Sequence, residues 1–519
     1  MKNQPQKLEL EHHLPVLALL SAAILGLYVR LNPVLQSDFP LNDGSLFVLM
    51  SEELIRGGFR LPKFTGYNLS QIPFAYPPLG FYLAALIARI SGWEMLSIFR
   101  FLPALLSWLT IPAFYLAAKR LLKSAAAVSI AVIVFALVPR SWLWLIMGGG
   151  LTRSLGLIFS ILSIYFGHRL FTEHKGLLHT ILCYTLAVLS HPEALIFAAL
   201  ALVLLYLVYD RSLTGFRDLV LVGGGALLLS APWWLTVILR HGVEPFLAAS
   251  HTSGLSLTFI LRMLVFNLTG EPTPAVFATL TVIGVFFTLY NKHWFLPALA
   301  IATLVFIPRS GPNYLTVPLA MLAALAISDV LLPALSLKNT LSLAGKILLG
   351  YLLVNLFISA ALAPTIEETA FRAIAPDERQ VMTWVAEHTD PDSQFLLLTG
   401  ADWWNDPTAE WFPYLTGRHS LNTLQGAEWL PDAQFNQALT WNTVAQRCLE
   451  ESAACLKQVR NEYRIPFTHL FIPRQTEDNP FSDTHAIEIS LQHDPDFVLL
   501  FETPGAAVYR FAPGENDKP

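Results

Sequence analysis

The sequence predicts an α-helical polytopic membrane protein of about eleven spans, with juxtamembrane helices in the first external loop and a C-terminal extracytoplasmic α/β domain. Three observations carry this. Of 519 residues, 54% are hydrophobic and only 14% charged, against about 25% charged in soluble domains. Apolar runs of membrane length fill the chain as far as residue 363, and mean hydropathy is +0.51. The charge then changes sign. Residues 1–363 hold 23 basic and 14 acidic side chains, net +9; residues 364–519 hold 10 and 24, net −14. The first part is a lipid-embedded body and the second a water-soluble domain. An acidic tail repels phosphate backbones, which speaks against a nucleic-acid partner.

A span needs roughly 20 apolar residues. The runs are 14–33, 97–118, 125–145, 151–171, 177–190, 192–209, 219–239, 274–290, 293–308, 312–332 and 343–363. The first, Leu14 to Leu31, lacks a small-residue cleavage site and reads as a membrane helix rather than a signal peptide. Stretch 74–91 is ambiguous, and charge arbitrates, because short cytoplasmic loops collect Lys and Arg. With a cytoplasmic N-terminus and no crossing at 74–91, Lys119, Arg120, Lys123, Lys175, Arg211, Arg217, Lys292, Lys338 and Lys346 all fall inside. A crossing there would put every one outside. Residues 34–96 are therefore one external loop, and 364–519 are external too. The expected location is the plasma (inner) membrane, multi-pass.

Within the loop, Leu46, Leu49, Met50, Leu54 and Phe59 make a short amphipathic helix. Pro77 and Pro78 sit where a helix start tolerates them, before Leu79 to Ile90. In the tail, 377–388 suggests a helix, and Phe395–Leu398, His469–Ile472, Phe497–Phe501 and Ala507–Phe511 suggest strands. Three cysteines exclude a disulfide-rich scaffold or a Cys-based zinc site. Cys448 and Cys455 would stand roughly 10 Å apart on an unbroken helix, beyond the ~7 Å reach of a disulfide. A bridge requires that segment to bend.

Candidate chemistry begins with Asp38 and Asp43, just past the first span. A carboxylate beside lipid is costly unless solvated, paired or used. It could serve as a general base, and Asp43 is equally placed to cap the helix that follows it. Tyr76 belongs to a rigid Tyr-Pro-Pro turn opening an aromatic surface helix. Arg140, Arg153, His191, Glu193, Arg240, His251, Arg262 and Arg309 fall at outer span ends, against the usual charge bias. Arg153 follows the permissive turn Gly148-Gly149-Gly150, where amides and a guanidinium could meet a phosphate. Snorkelling or salt bridging would explain any one of these alone; together they suggest an anionic headgroup site. In the tail, Asp402–Asp406 and Glu410–Arg418 combine aromatic residues with carboxylates and amides, which suits either sugar binding or docking onto the body.

The stretches Asn42-Asp43-Gly44, Gly57-Gly58-Phe59-Arg60-Leu61-Pro62 and Tyr76-Pro77-Pro78-Leu79, with Arg100 beyond, resemble the GT-C superfamily of polytopic glycosyltransferases. The nearest relatives in pattern are bacterial members akin to protein O-mannosyltransferases and the lipid A aminoarabinose transferase. Trp384–Thr389 and Glu410–Arg418 also resemble bacterial proteins of that superfamily. The resemblance implies transfer of a sugar, with inversion, from a polyprenyl-phosphate donor to an acceptor that is a protein, lipid or glycan. Asp43 matches the loop carboxylate that acts as base or positions the acceptor, and Asp38 is second choice. Arg153 and Arg309 take the lipid-phosphate role, with His191, Glu193 and Tyr76 beside them. Some relatives use a divalent metal and others none; Asp38 and Asp43 are too few ligands to claim one. Relatives carry an acidic residue followed by Glu or Tyr where Asp43-Gly44 stands, so the acceptor class stays open. A lipid or glycan transporter or flippase, and a non-catalytic envelope glycan-binding protein, are the alternatives.

Overall fold

A computed structural model describes residues 4–251, 268–271, 275–307, 311–337, 340–366, 371–474 and 484–512. Helix α1 (Gln4–Gln36) leads into a loop that folds as α2 (Ser45–Arg56), a ribbon of β1 (Phe64–Thr65) and β2 (Ile72–Pro73), and α3 (Leu79–Ser91). The body continues through α4 (Met95–Leu121), α5 (Ala125–Leu137), α6 (Gly150–Glu173), α7 (Leu177–Ser190), α8 (Pro192–Tyr209), α9 (Leu213–His241) and α10 (Glu244–His251). Then come α11 (Val276–Tyr290), α12 (Phe295–Phe306), α13 (Gly311–Leu325), a ribbon of β3 (Ser336–Leu337) and β4 (Thr340–Leu341), and α14 (Leu343–Ile366).

Among the described residues, seven helices are long and apolar enough to span: α1, α4, α6, α8, α9, α13 with its continuation to Ala334, and α14. The run 125–145 is not one straight helix. It breaks after Leu137 and bends by 78° into Pro139–Leu145. Proline at 139 explains this, because the residue before a proline is pushed into extended backbone, as Val138 is (φ −55°, ψ 123°). Counting the bent pair gives eight spans; α7, α11 and α12, the other expected crossings, are shorter apolar helices. The break frees the carbonyl of Ala136, since the Arg140 N–H donates to Thr269 O instead. Fully buried Arg30 donates to that carbonyl (2.7 Å) and to Ser107 Oγ (3.0 Å), tying α1 to α4 and α5.

The tail runs α15 (Pro376–His388), β5 (Gln394–Leu397), α16 (Pro407–Thr416), β6 (His419–Ser420), α17 (Asp432–Arg447), α18 (Ala453–Glu462), β7 (His469–Pro473), α19 (His485–His493), β8 (Phe497–Glu502) and β9 (Ala506–Phe511). Its five-stranded sheet has the order β6-β5-β7-β9-β8, with β6, β5 and β7 parallel and β9 antiparallel to both neighbours. Side chains alternate across a strand, and here both faces are covered. Leu396, Leu398, Leu470, Ile472 and Tyr509 pack in one core with residues of α17, α18 and α19. Phe395, Leu397, Phe471 and Val508 pack in the other with Trp411 and Phe412 of α16. That second core is shared with Leu46, Phe47 and Phe81 of the first loop, so the tail is seated on the loop by continuous apolar packing. Cys448 and Cys455 are bridged, with Cα atoms 5.5 Å apart, because the chain breaks between α17 and α18.

Candidate active site

Asp43 does not cap α2. Its backbone neighbour Gly44 holds that position, without a side-chain cap. The Asp43 carboxylate turns instead to the glycine turn ahead of α6. Oδ1 accepts from the Gly149 N–H (2.7 Å) and Oδ2 from Arg153 Nη2 (2.7 Å). Only glycine permits this approach: a Cβ on Gly149 would lie 2.5 Å from Oδ2, and one on Gly148 2.0 Å from the Asp43 carbonyl oxygen. Arg153 is fixed by a second bond to Trp144 O (3.1 Å) and lies 5.8 Å from the Trp144 ring centre. The carboxylate is buried, so its hydrogen bonds replace lost hydration.

Around this pair the structure gathers three of the other candidates, Tyr76, His191 and Glu193. The Tyr76 hydroxyl is 3.3 Å from Thr152 Oγ1, and its ring lies 6.1 Å from that of His191. His191 caps α8, accepting from the Glu193 N–H at Nδ1 (3.2 Å). Tyr314, at the start of α13, completes the cluster. A Cβ on Gly156 would touch both its hydroxyl (3.3 Å) and His191 Cβ (3.1 Å), and Glu193, Tyr76 and Arg153 are its electrostatic neighbours. Its hydroxyl is buried with no hydrogen-bond partner among the described residues. Buried polar groups are normally paired, so this one is poised to receive something. Sequence reasoning missed Tyr314, whose apolar surroundings carry no signal beyond its closeness in sequence to Arg309.

The tail supplies a second carboxyl. Glu410 of α16 accepts the Gly44 N–H at Oε1 (2.6 Å), and its backbone oxygen accepts from Ser45 Oγ (2.7 Å) and the Tyr67 hydroxyl. Burial, then the adjacent Asp43 charge, raises the Glu410 carboxyl well above the usual range; the Gly44 N–H and Arg153 offset this in part. Trp411 beside it donates to Asn42 O (2.7 Å) and meets Phe39 edge-on at 4.6 Å. The aromatic tail segment therefore docks the domain and places an acid next to Asp43.

Asp38 is not brought into this cluster. It is exposed and paired with Arg379 of α15. Arg309 and Arg262 lie outside the described residues. Arg240 clamps the loop through Leu61 O and Pro62 O (2.8 and 2.9 Å), and His251 meets Asp432 (3.0 Å). No group of three metal-ligating side chains gathers among the described residues. A guanidinium already stands where a cation would meet Asp43, so the donor set does not fit a divalent ion.

Residues 75–235 match the family model for dolichyl-phosphate-mannose-protein mannosyltransferase. That segment holds Tyr76, the glycine turn, Arg153, His191 and Glu193, but neither Asp43 nor Glu410. No protein of curated function matches the sequence. Among solved structures, ArnT from Cupriavidus metallidurans, bound to undecaprenyl phosphate, aligns at TM-score 0.54 and 16% identity, over 95% of this chain and 97% of its own. Archaeal oligosaccharyltransferase AglB from Archaeoglobus fulgidus aligns at 0.55 and 14%, over 98% and 75%. The arabinofuranosyltransferase AftD from Mycobacteria aligns at 0.58 and 16%, over 96% of this chain but 40% of its own. The fold is therefore the one these polytopic membrane glycosyltransferases share. The family resemblance carried by the loop motifs is borne out, with the mannosyltransferase match covering α3 to α9.

Proposed function

We propose that this chain transfers a sugar from a polyprenyl-phosphate carrier to an extracytoplasmic acceptor, with inversion, at the plasma membrane. The observation that carries the reading is the Asp43–Arg153 pair clamped on the Gly148–Gly149 turn, ringed by Tyr76, His191, Glu193 and Tyr314. A phosphate leaving group needs charge stabilisation more than a general acid. On this reading the donor phosphate takes the Arg153 guanidinium and the Tyr314 hydroxyl, and Asp43 is released toward the acceptor. The acceptor hydroxyl oxygen attacks the anomeric carbon and its proton passes to Asp43. The carbon–oxygen bond to phosphate breaks, and the electron pair leaves with the carrier. One displacement inverts the centre.

Sidedness has two supports. The tail carries a disulfide, as expected of an oxidising compartment. Arg153 opens α6, while Arg120, Glu173, His174 and Asp210 pair at its far end, about 30 Å away at 1.5 Å per residue.

The test uses membranes containing the chain and a radiolabelled undecaprenyl-phosphate sugar. Asp43→Asn, which keeps an oxygen for the Gly149 N–H, should cut transfer by about 10²-fold or more while native mass spectrometry still finds undecaprenyl phosphate bound. Arg153→Ala should lose that binding. Wild-type turnover in Asp43→Asn refutes the assignment.

A further inference from the structure

A cavity of about 500 Å³ lies between the first loop and the tail domain and shares no lining residue with the Asp43 cluster. Its size falls within the ~300–1,000 Å³ usual for small-molecule sites. No Asp, Glu, Lys or Arg lines it, in a tail domain that is otherwise strongly acidic. One wall is a face of α17: Gln434, Gln437, Ala438 and Trp441 stand at i, i+3, i+4 and i+7, a single helical stripe. The two glutamines are exposed, so the stripe forms the open side of the cavity. Here two of its four members are carboxamides, and Gln425 adds a third from the facing loop. None of these three makes a side-chain hydrogen bond among the described residues.

The rest of the lining is preorganised. Trp441 is pinned by its indole N–H to Tyr463 O (3.2 Å), leaving a ring face available. Asn68 exchanges two hydrogen bonds with the Ser420 backbone (2.9 and 2.7 Å), joining loop to domain at the cavity wall. His419 is held to Gln394 Oε1, and burial lowers its pKa, keeping the ring neutral at physiological pH. Ile72, Leu421 and Leu430 supply apolar surface.

We propose that this cavity binds an uncharged oligosaccharide. Sugar hydroxyls donate and accept at once, as carboxamides do, and the apolar face of a pyranose ring suits an indole. An anionic ligand would find no cation, and a cation no carboxylate. The cavity wall adjoins the candidate active site residue by residue: Asn68 follows Tyr67, which bonds to Glu410, and Thr423 of the lining donates to Ala409 O (2.8 Å). The bound glycan is thus placed as the acceptor, a role that rests on the transferase reading; the binding itself does not.

The experiment is saturation-transfer NMR on the full chain in lipid nanodiscs, free of glycoside detergents. The probes are cellotetraose, mannotetraose, galactotetraose and chitotetraose, with tetragalacturonate and tetraglutamine as controls. At least one neutral tetrasaccharide should show transfer that falls at least fivefold in Trp441→Ala and in the surface double variant Gln434→Ala/Gln437→Ala, and persists in Asp43→Asn. Silence from all four, an unchanged signal in the double variant, or equal binding of either control overturns the proposal. Retained saccharide binding in a wild-type chain that transfers no sugar from any polyprenyl-phosphate donor sinks the transferase reading alone.

Discussion

Two polar sites lie where the tail meets the first loop, and they are built from opposite materials. The cluster around Asp43 is ionic, with a buried carboxylate paired to a guanidinium, a second carboxyl at Gly44, and a tyrosine hydroxyl without a hydrogen-bond partner among the described residues. The cavity along α17 holds no formal charge. Charges buried near lipid are retained only when paired or used, whereas amides bind weakly and reversibly through exchange with water. The first arrangement suits a step in which charge moves, and the second suits holding a neutral chain. The first loop contributes to both, through Asp43 and Gly44 on one side and Asn68 and Ile72 on the other.

The largest effect that separates them is expected from Gly149→Ala. The added Cβ would sit 2.5 Å from Asp43 Oδ2 and 2.8 Å from its Cγ, and Arg153 leaves the carboxylate no free retreat. A drop of about 1–3 kcal/mol in stability is expected from such overpacking, with transfer falling about 10²-fold or more as the base is displaced. Saccharide binding at α17 should be untouched. Thermal melts and the transfer assay together check this; normal transfer would show that the carboxylate's seat does not matter.

Tyr314→Phe comes next. A hydrogen bond to a charged group contributes about 1.5–3 kcal/mol, so transfer should fall roughly ten- to hundredfold if this hydroxyl meets the donor phosphate. The fold should not suffer, because the hydroxyl has no hydrogen-bond partner among the described residues. A melting temperature that drops sharply, with transfer unaffected, would assign Tyr314 to packing instead.

How the Asp43 cluster was legible in the sequence, and how it was not, follows from what is local. The long apolar helices, the amphipathic helix at Ser45–Arg56, the proline start of α3 and four of the tail strands rest on short-range periodicity, and the structure has them, whereas three expected spans are shorter apolar helices. The bend at Pro139 was hidden because hydropathy averages across it. Asp43 stood out as a carboxylate beyond the first span, and Arg153 as a cation after a glycine turn. Their pairing across 110 residues was not readable, nor was the bond from Gly44 to Glu410 across 366. Glu410 read as part of an aromatic patch; only the shared apolar core of loop and sheet explains why it reaches Asp43.

Glu410→Gln tests that reach through pH. Because the folded state holds the Glu410 proton more tightly than the unfolded chain, native stability contributed by the neutral acid is complete at low pH. It is lost as pH rises through the raised folded value. Glutamine keeps an oxygen for the Gly44 N–H and cannot ionise. The variant's melting temperature relative to wild type should therefore climb as pH rises above the ordinary carboxyl value of 4.5. A difference that stays level or falls would mean that Glu410 ionises freely despite Asp43, Arg153 and Tyr67 around it.

The smallest effect is expected at the carboxylate that sequence type alone could not tell from Asp43. The Asp38 side chain is 62% exposed and its partner is Arg379 on α15, so the pair contributes about 0–1 kcal/mol. Its place is the loop–tail seam rather than the Asp43 cluster. Asp38→Asn should leave transfer within about twofold of wild type and shift the melt slightly if at all. Were it to lose transfer as completely as Asp43→Asn, the catalytic carboxylate would lie on the exposed side of the loop. The enclosure of Asp43 by Gly149, Arg153 and Glu410 would then be a structural clamp.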